Sequence, residues 1–194
     1  MKETENNPEY SGERKVVTGI KRLHTEFLQK VPNYEKKKWD PRQSLRDKSG
    51  SCMSELLYIA GGLLADGSVS VEDLFIGFSK DHGESYDIGF VGKTGKKYAH
   101  TFLLITAGDV TLEADFRANR ADEEPRIQRL QEDEIDNNEV YVGPIMEAIT
   151  QYARIEGSTG PSLSELIALH LGDETLSKPS YELKEEQIRF DEDF

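Results

Sequence analysis

The sequence has 194 residues, 36% of them hydrophobic and 31% charged, and a formal net charge of −13. This length fits one domain that can bury a core without disulfides or structural metal. The single cysteine excludes an internal disulfide and a cysteine-based zinc cluster, and it is typical of a reducing compartment. The acidic balance argues against nucleic-acid binding, because phosphate backbones are met by surplus Lys and Arg. With no apolar run of roughly 18 residues and no apolar leader, we expect a cytoplasmic protein without membrane contact.

The charge is unevenly distributed along the chain. Residues 1–50 contain 12 Lys and Arg against 8 Asp and Glu, a net charge of +4, so the remaining residues carry −17. We expect a disordered lead-in over residues 1–13, a single domain over 14–175 and an acidic tail over 176–194. Solvated surface accounts for this asymmetry, although the basic N-terminal or the acidic C-terminal region could also contact a partner protein.

Two patterns in the first third of the chain predict helices. Apolar residues at helical spacing predict a first helix over Val16–Val31, ended by Pro32, and the stretch Asn33–Gly50 is predicted to be rich in loops. A second helix is predicted over Cys52–Ala65; it is apolar on nearly all sides and should lie buried at the centre of the domain. Its Gly61–Gly62 pair predicts the close approach of another backbone.

From Asp73 onwards the hydrophobic period changes to that of strands. Strands are predicted over Leu74–Phe78, Asp87–Val91, Tyr98–Thr106 and Val110–Phe116. The acidic segment Ala121–Glu139 is predicted to be a surface connector, and helices follow over Pro144–Ile155 and Ser162–Leu171. The expected fold class is α+β, with a central cysteine-bearing helix packed on an antiparallel sheet.

Cys52 is the first candidate for chemistry. Cysteines of this kind are often small buried hydrophobes, so packing is the alternative role. Gly50-Ser51-Cys52, however, places the thiol in the first turn of the central helix. Backbone N–H groups there lack helical partners, so they favour a thiolate and can stabilise an oxyanion. A nucleophile on a rigid helix is also held in a fixed geometry.

A thiolate nucleophile needs a base, and the four histidines are the candidates. His24 and His170 are predicted at surface positions on helices. His82 lies in a polar loop, where a solvated role is expected. His100 differs from these three because it opens the strand with the strongest pattern, which makes it the favoured base.

The predicted hairpin supplies a partner for His100. A turn centred on Ala107 and Gly108 pairs His100 directly with Asp115, with Cβ atoms about 4.5–5.5 Å apart. A carboxylate at that distance can orient an imidazole, so the sequence predicts a Cys52–His100–Asp115 triad. A structural contact between His100 and Asp115 at a sheet edge is the alternative. Glu113 would share their face without an evident catalytic role.

Three motifs together resemble the transglutaminase-like superfamily, whose members have a papain-like fold. Gly50-Ser-Cys52 opens a helix, Tyr98-Ala-His100 opens a strand and Thr111-Leu-Glu-Ala-Asp115 closes its partner, in the order and spacing of that family. The resemblance covers about residues 45–117. It implies acyl transfer at an amide of a protein or peptide through a Cys52 thioester, with His100 as base and then acid and Asp115 as its orienter. No metal or other cofactor is implied.

The resemblance leaves the acceptor open. Water would make the protein a peptidase or deamidase, an amine would make it a crosslinking transglutaminase, and an inactive binding module is the alternative of a different class. Hydrolysis is favoured, because water needs no dedicated second pocket. Folds of this kind often supply an oxyanion donor upstream of the cysteine, and Gln43 is the candidate in preference to Trp39. The segment Lys48-Ser-Gly-Ser-Cys52 differs from the Arg-Gly-Gly-x-Cys of arylamine acetyltransferases, which disfavours acetyl transfer.

Two further motifs are rejected. Gly92-Lys93-Thr94 looks like the end of a phosphate-binding loop, but the first glycine of that motif would fall at Asp87 and a strand follows. The acidic and histidine-containing loop 81–87 has metal-ligand residue types without a recognised spacing, so a solvated loop is favoured.

Overall fold

A computed structural model describes residues 8–34, 38–79, 90–91, 97–98, 100–116, 124–130, 140–155 and 157–171. The helices are α1 (Pro8–Lys30), α2 (Pro41–Asp47), α3 (Cys52–Ala65), α4 (Ile145–Ile155) and α5 (Leu163–Leu171). The strands are β1 (Asn33–Tyr34), β2 (Ser49–Gly50), β3 (Leu74–Ser79), β4 (Phe90–Val91), β5 (Lys97–Tyr98), β6 (His100–Ala107), β7 (Val110–Asp115), β8 (Arg126–Leu130) and β9 (Val140–Pro144). A five-stranded antiparallel sheet has the order β8-β7-β6-β3-β9. The class is α+β, as predicted.

The first helix starts earlier than its apolar pattern predicts. α1 begins at Pro8 rather than Val16, so part of the predicted lead-in is helical. Proline is tolerated there because the first N–H groups of a helix have no helical acceptor. Residues 1–7 and the predicted tail 176–194 lie outside the described residues.

A short helix, α2, lies within the segment predicted to be rich in loops. Asp40 caps it, because its side chain accepts a hydrogen bond from the Arg42 N–H at 2.9 Å, and Pro41 occupies the first turn. The Asp-Pro pair was the available signal for this helix start. Arg42 is itself buried and joins Asp40 to Glu165 of α5 through ion pairs. This network ties α2 to the C-terminal part of the domain.

The core lies between the helices and one face of the sheet. α3 occupies its centre with the bounds predicted from the sequence, and it contacts α1, α5 and β6. The core face of the three central strands carries apolar residues that are at most 1% exposed: Leu74, Ile76, Phe78, Leu103, Ile105, Leu112 and Ala114. The alternation along β6 therefore places His100, Phe102 and Leu104 on the other face.

The β6–β7 hairpin has a different register from the one predicted. Ala107 pairs with Val110, and Phe102 rather than His100 faces Asp115. The connection is the two-residue loop Gly108–Asp109, and Gly108 has a φ of 65°, the left-handed conformation that such a tight turn requires at its first position. Because this register is shifted by an even number of residues, the face of each side chain is unchanged.

Two edge strands of the sheet were not predicted. β8 lies within the acidic connector Ala121–Glu139, and β9 directly precedes α4. Residues 121–123 and 131–139 of that connector lie outside the described residues, as do the loop 81–87 with His82 and the segment Gly92-Lys93-Thr94. Within the described ranges, none of the helices is both long and apolar enough to cross a bilayer.

Gly61 of α3 allows α5 to pack directly against the central helix. A Cβ atom at Gly61 would lie 2.5 Å from the backbone oxygen of Leu166, closer than real Cβ atoms approach. The predicted approach of another backbone to the Gly61–Gly62 pair is confirmed at Gly61, whereas at Gly62 a Cβ atom would meet the side chains of Leu23 and His170. The contact positions α5 and, through Glu165, the buried Arg42 of α2.

Gly61→Ala should therefore destabilise the protein, because the backbone of α5 would have to move. We expect a loss of about 1–3 kcal/mol in the free energy of unfolding. The matched control is Gly12→Ala in α1, where no atom lies within 4 Å of the added methyl; this change should stabilise the protein by up to about 1 kcal/mol. Urea unfolding of both variants measures the difference, and equal effects would contradict the packing argument.

Candidate active site

Cys52 is the first residue of α3, and a capping box fixes the start of that helix. The Ser51 hydroxyl accepts a hydrogen bond from the Ser54 N–H at 3.4 Å, and the Ser54 hydroxyl accepts one from the Ser51 N–H at 2.7 Å. The N–H of Cys52 does not belong to this box. First-turn N–H groups form the positive end of the helix dipole, where they can stabilise negative charge on a bound group. The cysteine is also partly exposed.

Backbone contacts hold the segment that leads into Cys52. α2 ends at Lys48, whose φ of 53° turns the chain through the left-handed region. Asn33 binds the Lys48 carbonyl with its backbone N–H at 3.3 Å and its side-chain amide at 3.1 Å. Next to this contact, β1 and β2 pair in parallel. The cysteine thus follows a stretch of backbone that is bound to β1.

His100 and Asp115 form an ion pair on the face of the sheet opposite the core. Nε2 of His100 lies 2.7 Å from Oδ1 of Asp115. The contact joins the imidazole to the carboxylate as an ion pair. Asp115 is 6% exposed, whereas the His100 side chain is 24% exposed. The carboxylate is therefore buried beside a ring that solvent reaches.

The imidazole of His100 also interacts with Cys52. Burial lowers the pKa of His100, but the Asp115 carboxylate and the hydrogen-bonded Cys52 outweigh burial and raise this pKa from 6.5 to about 10. His100 is therefore an imidazolium at neutral pH. Since Nε2 faces Asp115, Nδ1 is the nitrogen that remains for the sulfur. The three residues predicted to form a triad lie together, although Asp115 is a diagonal neighbour of His100 rather than its direct partner.

The prediction that His24 is a surface residue is wrong. It is 8% exposed, and its Nδ1 bonds to Oε1 of Glu55, which is fully buried one helical turn after Cys52. Burial raises the pKa of Glu55, and His24 acts in the opposite direction. A carboxylate within a helix that is apolar on nearly all sides needs a buried partner, and this was the signal for the pair. His170, which was also predicted at the surface, is half-buried and donates to the Tyr58 carbonyl at 2.8 Å.

Polar side chains of β7 and β8 continue the face that carries His100 and Asp115. Glu113 lies on this face, as predicted, and Gln128 is its direct cross-strand partner. Burial and then repulsion from Asp115 raise the pKa of Glu113, against the smaller effects of Arg126, the Gln128 hydrogen bond and His100. Arg126 and Gln128 were missed because their strand was taken for a connector; Pro125 before it was the weak signal.

The structure gives less support to the oxyanion candidate. Gln43 lies half-buried in α2, which contacts β2 and α3, but within the described residues its side chain makes no hydrogen bond. Its role stays a prediction. Trp39, the other residue considered, is buried against Tyr152 with ring centroids 5.1 Å apart, so it belongs to the core.

The side chains at this site combine three chemical roles. Cys52 offers a nucleophile, His100 a group that can release and accept a proton, and Asp115 a carboxylate that orients the imidazole. In the part of the chain that the structure describes, no three His, Cys, Asp or Glu side chains are grouped so as to hold a metal ion. No protein-family model, curated protein or solved structure matches this chain.

Asp115→Asn should lower the pKa of His100 below about 10, because asparagine keeps a polar partner and removes the negative charge. NMR titration of the His100 ring measures this midpoint. In the parent, the raised pKa contributes stability that is complete below pH 6.5 and is lost as the pH rises through about 10. The variant should lose less stability over that window.

Asp109→Asn is the control for this titration. It removes the same charge from the exposed turn of the same hairpin and should leave the His100 midpoint in place. If the His100 ring titrates with the same midpoint in the parent and in Asp115→Asn, the 2.7 Å contact between His100 and Asp115 does not hold the proton on the imidazole.

Proposed function

We propose that this chain is a cysteine-dependent enzyme that transfers an acyl group from an amide, a peptidase or deamidase with a papain-like, transglutaminase-like domain. The observation that carries the proposal is the contact of His100 with both Cys52 and Asp115. An imidazolium held by a buried carboxylate beside a thiol is the arrangement that activates cysteine nucleophiles. The partial exposure of Cys52 and His100 supports access of a substrate.

The first half-reaction follows from the charges at the site. The Cys52 thiolate adds to the amide carbonyl carbon, and the resulting oxyanion lies near the first-turn N–H groups of α3, including that of Cys52. The His100 imidazolium gives its proton to the leaving nitrogen as the C–N bond breaks. The products are an amine, or ammonia from a primary amide, and a thioester on Cys52.

The second half-reaction returns the site to its starting state. Neutral His100 takes a proton from water as the water oxygen adds to the thioester carbonyl. The C–S bond then breaks, and the carboxylic acid product leaves with the thiolate and imidazolium restored. Asp115 remains ionised throughout and stabilises the imidazolium of the free enzyme, before acylation and after hydrolysis of the thioester. Water is the proposed acceptor because it needs no second binding pocket.

Cys52→Ala should abolish amide hydrolysis and leave the fold intact, because the change removes one sulfur atom at the start of a helix. The expected loss of stability is small beside the roughly 2–5 kcal/mol of a large core truncation. Activity is measured on a mixture of amide and peptide substrates, with circular dichroism and urea unfolding on the same samples. A folded variant that keeps its turnover would contradict the proposal.

Labelling of the single cysteine tests activation without knowledge of the substrate. At neutral pH, iodoacetamide should alkylate Cys52 faster than free cysteine, and His100→Gln should slow the reaction by roughly 100-fold. His170→Gln is the control, because this histidine binds the Tyr58 carbonyl away from the thiol. A labelling rate that His100→Gln leaves unchanged would exclude the Cys52–His100 pair as the activating device.

A further inference from the structure

Arg126 stands directly across the sheet from Asp115 but does not pair with it. The two residues are cross-strand partners in the β7–β8 ladder, where Cβ atoms lie about 4.5–5.5 Å apart. Arginine and a carboxylate in such positions readily form a two-pronged ion pair. Instead, Nε and Nη2 of Arg126 both donate to Oε1 of Gln128, at 3.1 and 2.7 Å.

Gln128 is held in place from its other end. Its side chain also hydrogen-bonds to Glu113, the residue directly across the ladder. Because Oε1 of Gln128 accepts from Arg126, its amide N–H group is the one that serves Glu113. Glu113, Gln128 and Arg126 thus form a chain of hydrogen bonds that runs beside Asp115. This chain gives Glu113, which has no evident part in acyl transfer, a structural task.

We propose that Gln128 is a positioning residue of this site: it holds the Arg126 guanidinium away from Asp115 and so keeps this arginine from competing with His100 for the carboxylate. The role deepens the proposed function and rests on it. If Arg126 swung onto Asp115, its guanidinium would stand beside the imidazolium and would compete with it for the carboxylate. The described charged and titratable groups that act on His100 are Cys52 of α3 and Asp115 and Glu113 of β7, and Arg126 of β8 lies opposite Asp115.

The test removes the acceptor that holds Arg126. Gln128→Leu should let the guanidinium turn to Asp115, and the NMR titration midpoint of His100 should fall by about one pH unit. The titration is made on the full chain with Cys52→Ala as the common background, so that the imidazole is read without a neighbouring thiol. A His100→Gln sample identifies the resonance.

Further variants separate positioning from general disturbance of β8. The double variant Gln128→Leu with Arg126→Leu removes the guanidinium as well, so it should return the titration midpoint of His100 to its starting value. Gln128→Glu keeps an acceptor for Arg126 and should not lower this midpoint. Arg129→Leu, which removes a guanidinium bound to Glu13 instead, is the matched control and should leave the midpoint unchanged. If Gln128→Leu does not fold, the smaller polar change Gln128→Ser removes the same acceptor and should lower the midpoint.

The outcomes bear on this proposal separately from the proposed activity. A midpoint that neither Gln128→Leu nor Gln128→Ser shifts, or one that Arg126→Leu fails to restore, overturns the positioning role. Failure of parent Cys52 to react with iodoacetamide would overturn the proposed function, yet the His100 titration would still report whether Gln128 restrains Arg126. Lower activity of Gln128→Leu with an unchanged midpoint would also count against positioning.

Discussion

The ion pair between His100 and Asp115 is the interaction on which the candidate site depends. The hairpin register brings Oδ1 of the buried Asp115 carboxylate to 2.7 Å from Nε2 of the partly exposed His100 ring. Burial alone would favour a neutral imidazole, so the charge on His100 depends on the Asp115 carboxylate beside it, together with the contact to Cys52. The two-residue loop Gly108–Asp109 fixes that register, and a shift by a single residue would turn Asp115 to the core face.

The sequence predicts the proximity of Cys52, His100 and Asp115 better than it predicts the strands that surround them. α3 has the predicted bounds, because its apolar pattern and the Ser51 cap are both local signals. The contact of His100 with Asp115 was predicted with the wrong register, and it holds because the two registers differ by an even number of residues. β8 has only weak strand character among acidic neighbours, and its pairing with β7 is a long-range contact that no local pattern encodes. Arg126 and Gln128 were missed for that reason.

Two carboxylates near Cys52 and His100 have different partners and therefore different roles. Asp115 pairs with His100 and supports the imidazolium. Glu55 is buried behind the first turn of α3, where His24 is its partner and burial favours its neutral form. Glu55 lies in the helix that begins at Cys52, and Asp115 lies on a strand of the sheet. Of these two acids, only Asp115 lies where its charge acts on His100. The partner of each carboxylate, more than its distance from Cys52, therefore determines its chemistry.

Arg126 is a second cation, besides His100, that the structure describes next to Asp115 on this face of the sheet. An arginine opposite a carboxylate would ordinarily be read as its ion-pair partner, and here that pairing would compete with His100. The uncharged Gln128 accepts two hydrogen bonds from Arg126, and an amide can do this without adding charge to the site. A carboxylate in its place would hold Arg126 as well but would stand beside Glu113, where like charges on opposite residues are unfavourable. An amide at this position satisfies both neighbours.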